Sequence, residues 1–168
     1  IILSATTVFA SGIGFVKAYD KIADETREEI NVGTEGDIKD QKAKYRMYDK
    51  TRIKKCMIKN ERLKENDGKP FTWKIKPKER IETKEGHLKK GTCVQVAACM
   101  GFEEEHPETH IAIGIIDEDG EETYIENGVN LVSHLKVKKD GRYRVFLENL
   151  GAKKAIAGGH YMVITEEE

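Results

Sequence analysis

With 168 residues, the chain has room for one domain with a real core and short appendages, and it is too short for two substantial domains. A hydrophobic share of 38% beside a charged share of 35% is polar for a globular chain yet above the level that excludes a core, and a long solvated segment would explain it. The formal net charge of −1 hides an asymmetry: residues 42–90 carry eighteen Lys and Arg against seven Asp and Glu, a local +11, and residues 91–168 carry seven against fifteen, a local −8.

Residues 1–16 carry no charge. A bilayer-spanning helix needs about 20 apolar residues, so this run is read as the apolar part of a secretory signal, ahead of a retained anchor or a buried strand or helix. Val16-Lys17-Ala18 closes the apolar run with small residues and is preferred as cleavage site over Val8-Phe9-Ala10, which makes residues 1–18 a signal peptide. From Asp20 to Gln41 eight acidic residues stand against three basic ones, with Ile22, Thr26 and Ile30 at a loose helical spacing and Gly33 and Gly36 after them. Residues 19–41 are therefore expected to form an acidic helix or linker, helical or disordered, ahead of a folded domain at 42–168.

Within that domain Ile53, Cys56 and Ile58 suggest a strand, although Tyr45, Met47 and Tyr48 would also suit a helix. Asn66-Asp67-Gly68 signals a turn. Phe71, Trp73 and Ile75 then alternate with Thr72, Lys74 and Lys76 in a half-buried strand that Pro77 ends; Trp73 shares a face with two apolar neighbours and so reads as a core anchor. From Thr92 to Met100, Val94, Val96, Ala98 and Met100 form a core face, and Cys93, Gln95, Ala97 and Cys99 form the other. The run from Ile111 to Ile116 is apolar on both faces, which places it in the middle of a sheet. Asp119-Gly120 predicts a hairpin turn and Asn127-Gly128 a second one. Between Gly141 and Leu150, Tyr143, Val145 and Leu147 point to the core, while Arg142, Arg144 and Glu148 point away from it with Phe146 among them. A last strand over 154–164 is expected to bulge or bend at Gly158-Gly159. Short strands, regular turns and no helical pattern between them predict an all-β fold, an antiparallel β-sandwich of jelly-roll or Ig-like type with seven or eight strands.

The Lys90-Gly91 turn before an apolar strand, the run Asp140-Gly141-Arg142-Tyr143-Arg144-Val145-Phe146-Leu147-Glu148-Asn149, and Gly159-His160-Tyr161 together resemble a known pattern. Small secreted β-sandwich domains of Gram-positive bacteria show a Gly-x-Tyr-x-Val strand ending in Asn, followed by a strand closing on Gly-x-Tyr or Gly-x-Val. The resemblance covers Phe71 to Ile164, implies an exported sandwich, and carries no catalytic residue onto this sequence.

Candidate chemistry is sparse. His106-Pro107-Glu108-Thr109-His110 departs from the zinc-helix pattern, because Pro107 interrupts it and Glu108 is one place late. Asp117-Glu118-Asp119-Gly120 opens like a calcium loop, but the twelfth position, which should be a bidentate Glu, is Gly128. Cys93 and Cys99 are six residues apart on one expected strand, about 20 Å, against the roughly 7 Å a disulfide allows, so at most Cys56 pairs with one of them. No nucleophile elbow, phosphate loop or dinucleotide fingerprint occurs, and no metal or cofactor is expected. The basic region admits two readings: it pairs with the acidic half of the same domain, or it binds a polyanion through Lys54, Lys55, Lys59 and Lys64. The expected partners are an anionic cell-wall polymer, a glycan or an anionic membrane surface; nucleic acid is not expected, since none of its modules is matched. The function expected is a secreted, non-catalytic binding or structural module at the cell surface or matrix, with a hydrolase on a jelly-roll frame and a purely structural assembly component as alternatives.

Overall fold

The computed structural model describes residues 41–64, 68–101, 110–127 and 130–165. The expected signal peptide and, apart from Gln41, the acidic lead lie outside them, as do Asn66, Asp67, Gly128 and His106–Thr109. Eleven strands occur among the described residues: β1 (Lys44–Met47), β2 (Lys55–Arg62), β3 (Lys69–Ile75), β4 (Glu79–Lys84), β5 (Gly86–Leu88), β6 (Cys93–Gly101), β7 (Ile111–Asp117), β8 (Glu121–Asn127), β9 (Asn130–Lys136), β10 (Gly141–Asn149) and β11 (Ala155–Ile164). They form a β-sandwich of two sheets. The larger has seven strands, with β1-β8-β7-β10-β4-β2 in order and β5 also paired to β10; the smaller is β3-β11-β6-β9.

The apolar alternation read from the sequence is what joins the sheets. Ile113 and Ile115 of β7, Val145 and Leu147 of β10 and Ile125 of β8 face Val94 and Val96 of β6, Leu131 and Leu135 of β9 and Tyr161 and Val163 of β11, all buried in one cluster. Phe71 and Trp73 stack with ring centroids 4.2 Å apart and both are buried, which places Trp73 in the core as expected. Tyr143 is buried as well, and its hydroxyl donates to the Lys139 carbonyl at 2.8 Å. The run around Ile113 is indeed central, since β7 lies between β8 and β10.

Four expectations need correction. The strands number eleven among the described residues rather than seven or eight: the Lys- and Arg-rich stretch, where Ile53, Cys56 and Ile58 suggested one strand, contributes β1, β2, β4 and β5. One pair, β2 with β4, is parallel, with Cys56 opposite Arg80 and Ile58 opposite Glu82, so the sandwich is not purely antiparallel. Asn127-Gly128 does not close a hairpin: β8 belongs to the larger sheet and β9 pairs with β6 in the smaller, so the chain changes sheets there. At Gly158-Gly159 the pairing of β11 with both β3 and β6 runs through without a break. A Cβ at Gly159 would lie 2.0 Å from the Ala97 carbonyl oxygen, so this glycine permits close strand approach instead of a bulge. None of Cys56, Cys93 and Cys99 is in a disulfide, so the Cys56 pairing is not made.

The larger sheet is strongly curled. β1 and β2 are its two edges, five strand spacings apart, and β1 ends at the level of Glu121 while β2 starts at the level of Glu79, at opposite ends of the sheet. On a flat sheet that is about 24 Å sideways and 20 Å lengthwise, whereas eight peptide steps reach at most about 28 Å fully extended. The connection is shorter still, since Lys50–Arg52 form a 3-10 turn capped by the Asp49 carboxylate. The sheet must therefore bend its outer face into a trough, with the 48–54 connection crossing it. Gly114 lets β8 approach β7 closely, since a Cβ there would lie 2.2 Å from the Thr123 carbonyl oxygen and 2.6 Å from Cα of Tyr124.

Candidate functional site

The residues facing that trough alternate with the core residues of the same strands, and they are mostly charged. Arg80 and Glu82 come from β4, Glu148 and Arg144 from β10, Glu122 from β8 and Arg46 from β1. Arg80 is wholly buried, as are Glu122, Glu82 and Glu148 to within 2%. The Nε of Arg80 donates to Glu82 at 2.7 Å and its Nη1 to Glu148 at 3.0 Å, and Nη1 lies 2.6 Å from Glu122. The Arg46 guanidinium bonds Glu122 and, at 2.7 Å, Glu148, and Arg144 bonds Glu82 at 2.7 Å. Contact between β4 and β8 spans three strand spacings, which only the curl allows. Phe146, Tyr124, Ala112 and Ile116 supply a small apolar floor. The Arg80 guanidinium carbon stands 3.8 Å over the Phe146 ring and that of Arg46 4.2 Å over Tyr124, so the cations are desolvated against aromatic faces. Burial works to lower the Arg46 pKa, but its hydrogen bond to Glu122 and the charges of Glu122 and Glu148 outweigh that and raise it.

The 48–54 connection covers the trough. It is tied at one end by Tyr48 N–H to the Gly120 carbonyl (2.7 Å) and at the other by Lys54 N–H to the Lys78 carbonyl (2.8 Å). The Tyr48 ring lies 5.2 Å from the Arg80 guanidinium carbon. Arg52 reaches down to Glu148 at 3.6 Å and Glu122 at 3.8 Å, too far for hydrogen bonds.

The four lysines singled out by sequence sit elsewhere. Lys54 ends the connection, Lys55 and Lys59 lie in β2, and Lys64 follows it; three are exposed and Lys59 is half-buried. From Lys54 to Lys64 is about 33 Å at strand spacing, so they line an edge and do not converge on a point. None makes an ion pair with a described residue. Edge β3 lies on the same side of the sandwich, since Tyr161 of its neighbour β11 donates to Glu61 of β2 at 3.2 Å, and exposed Lys74 of β3 and Lys76 just after it add to that side. Lysines on an unpaired strand edge also deter strand addition, the ordinary structural use of that residue there.

The other candidates resolve into structure. Asp117 is buried in its turn and accepts from the Asp119 and Glu121 N–H groups at 2.9 and 2.8 Å, with the Lys139 ammonium 3.0 Å away. Burial pushes its pKa up, yet Lys139 and the two N–H bonds hold it below the ordinary value. Gly120 takes φ +85°, as the Asp-Gly hairpin requires. His110 stands 3.6 Å from Glu126 and is exposed, the rest of its motif being outside the described residues. Desolvation, with the Glu82 charge behind it, pushes the Cys56 thiol up to about 11, and desolvation pushes Cys99 up to about 12. Among the described residues no three His, Cys, Asp or Glu are grouped to hold a metal, and no helix is long and apolar enough to cross a membrane.

The sequence reading missed the trough altogether. Its one signal was Phe146, a large aromatic among Arg144 and Glu148 on a face taken as solvated; it is fully buried. No family model and no curated protein matches the chain. Among solved structures it is similar to the pre-peptidase C-terminal domain of a collagenase from Bacillus anthracis (9% identity, 62% of this chain and 94% of that one, TM-score 0.43). It is similar also to PliG, a periplasmic inhibitor of g-type lysozyme from Aeromonas hydrophila (9%, 64% and 98%, 0.38), and to the Yersinia pseudotuberculosis-derived mitogen (11%, 61% and 91%, 0.42).

Proposed function

We propose that the chain is an exported, non-catalytic binding module that docks an extended anionic polymer of the cell surface along the β2–β3 side. The observation that supports this is the division of the basic region. Its arginines 46, 52 and 80 are engaged by Glu82, Glu122 and Glu148, while Lys54, Lys55, Lys59 and Lys64 stand in a row without acidic partners among the described residues. A row of spaced ammonium groups suits a repeating anion, which is met at several points and needs no pocket. Cys56 and Cys99 offer no ready nucleophile, since desolvation holds both thiols protonated at neutral pH.

The test is co-sedimentation with an anionic cell-wall preparation at about 10 mM salt, where screening is weakest at roughly 30 Å, and again at 1 M, where it shortens to about 3 Å. Binding at low salt, lost at high salt and lost in the K54E/K55E/K59E/K64E variant at unchanged stability, is expected. No sedimentation at low salt, or sedimentation unaffected by the four reversals, overturns the proposal. Binding to anionic lipid vesicles in place of wall material overturns the polymer and assigns the same edge to a membrane surface.

A further inference from the structure

We propose that the outward face of the smaller sheet is the docking surface for the chain's own acidic lead, residues 20–32, which packs there as an amphipathic helix. The outward positions of β6, β9 and β11 carry an apolar strip: Ala97 and Cys99 are buried, and Val132, Ile156 and Met162 are half-buried. The larger sheet lies against the opposite, core face of these strands. Lys74 of β3 and Lys136 of β9 stand exposed at the two margins of the strip, and no Asp or Glu occupies an outward position on β3, β6, β9 or β11. The far face of the larger sheet is filled by its own ion pairs and crossed by the 48–54 connection, so among the described residues it is the smaller sheet whose outer face lacks a cover.

The lead suits that surface in pattern, charge and reach. Ile22, Thr26 and Ile30 fall at i, i+4 and i+8, a stripe that a helix presents on one side, while Asp24, Glu25 and Glu28 fall off it. Residues 20–32 carry five acidic side chains against two basic ones, and the margins they would meet carry only cations. The lead joins the domain at the edge of this same sheet: Gln41 N–H donates to the Val132 carbonyl and the Ser133 hydroxyl donates to the Gln41 carbonyl, both at 2.9 Å. Nine peptide steps from residue 32 to residue 41 reach up to about 30 Å, against about 14 Å across four strands, so the tether spans the face. A helix this short is marginal alone and gains its stability from burying its apolar stripe. The row of Lys54, Lys55, Lys59 and Lys64 offers the same charge, but it lies at the opposite side of the sandwich with Ile58 as its one exposed large apolar neighbour. The proposal does not rest on polymer binding at that row.

The test is zero-length carbodiimide cross-linking of the full chain, mapped by mass spectrometry, with iodoacetamide alkylation of Cys99 as a second readout. Intrachain links from Lys74 or Lys136 to Asp24, Glu25, Glu28 or Glu29 are expected. I22D/I30D, which leaves the sandwich core untouched, loses these links and has Cys99 alkylated about tenfold faster, with the exposed Cys56 unchanged as the internal reference. Absence of the links in the wild type, or a Cys99 rate equal in the two proteins, overturns the docking. Links to Lys54, Lys55, Lys59 or Lys64 in their place overturn it as well and put the lead on the β2 edge. Links that form only between differently isotope-labelled copies overturn it too and assign the face to a second copy of the chain.

Discussion

The two faces of the seven-stranded sheet are built from the same strands and buried by opposite means. Toward the smaller sheet, Ile113, Val145 and Leu147 meet other aliphatic side chains, and removal of apolar surface from water drives that contact without regard to direction. On the far face, one residue along each strand, Arg80, Glu82, Glu122 and Glu148 are just as buried but hold one another through directed, charge-assisted bonds. An aliphatic face tolerates rearrangement of its contents, whereas an ionic one must have each partner in place, because a stranded charge is far costlier than a small void. The ionic face thus ties the curl of the sheet and the path of the 48–54 connection to one arrangement of β1, β4, β8 and β10.

Substitutions on the two faces should therefore fail differently. Tyr143→Ala on the aliphatic side removes a buried ring and orphans the Lys139 carbonyl, and should cost about 3–5 kcal/mol in urea unfolding with the slope of the transition unchanged. A loss below about 1 kcal/mol would place Tyr143 on the surface. Arg80→Leu on the ionic side should cost about 3–4 kcal/mol, because three carboxylates lose their shared cation and the added aliphatic burial offsets only part of that. A loss below about 1 kcal/mol for Arg80→Leu would mean that the three carboxylates do not depend on its guanidinium.

The aliphatic face was legible in the sequence because alternation reports it directly: Val94, Val96 and Ala98, then Tyr143, Val145 and Leu147, fell where expected. The glycine turn at Asp119-Gly120 was legible for the same local reason. The ionic face was not, since Arg144 and Glu148 alternate as solvent-facing residues also do, and nothing local reveals that the connection after β1 folds over them. Which sheet each strand joins is a non-local fact as well, and it undid the expected hairpin at Asn127-Gly128. Charge bookkeeping along the chain fared better: the opposed basic and acidic regions do pair, through Arg46, Arg52 and Arg80 with Glu122 and Glu148, but only the arginines among the described trough residues take part. Arginine's planar fork reaches several carboxylates at once from a desolvated position, where a lysine ammonium would lose more hydration.

That the trough is a dry, locked ion cluster is measured most directly by hydrogen exchange at arginine Nε in ¹⁵N-labelled protein. Arg142 is the internal reference, an exposed guanidinium that also bonds carboxylates, Glu118 and Glu85, but with 57% of its side chain in solvent. Arg80 Nε should exchange at least about a hundredfold more slowly than Arg142 Nε, because it is released only when the sheet opens. Equal rates at the two sites would contradict the account, showing that water reaches Arg80 and that the outer face is an ordinary solvated surface.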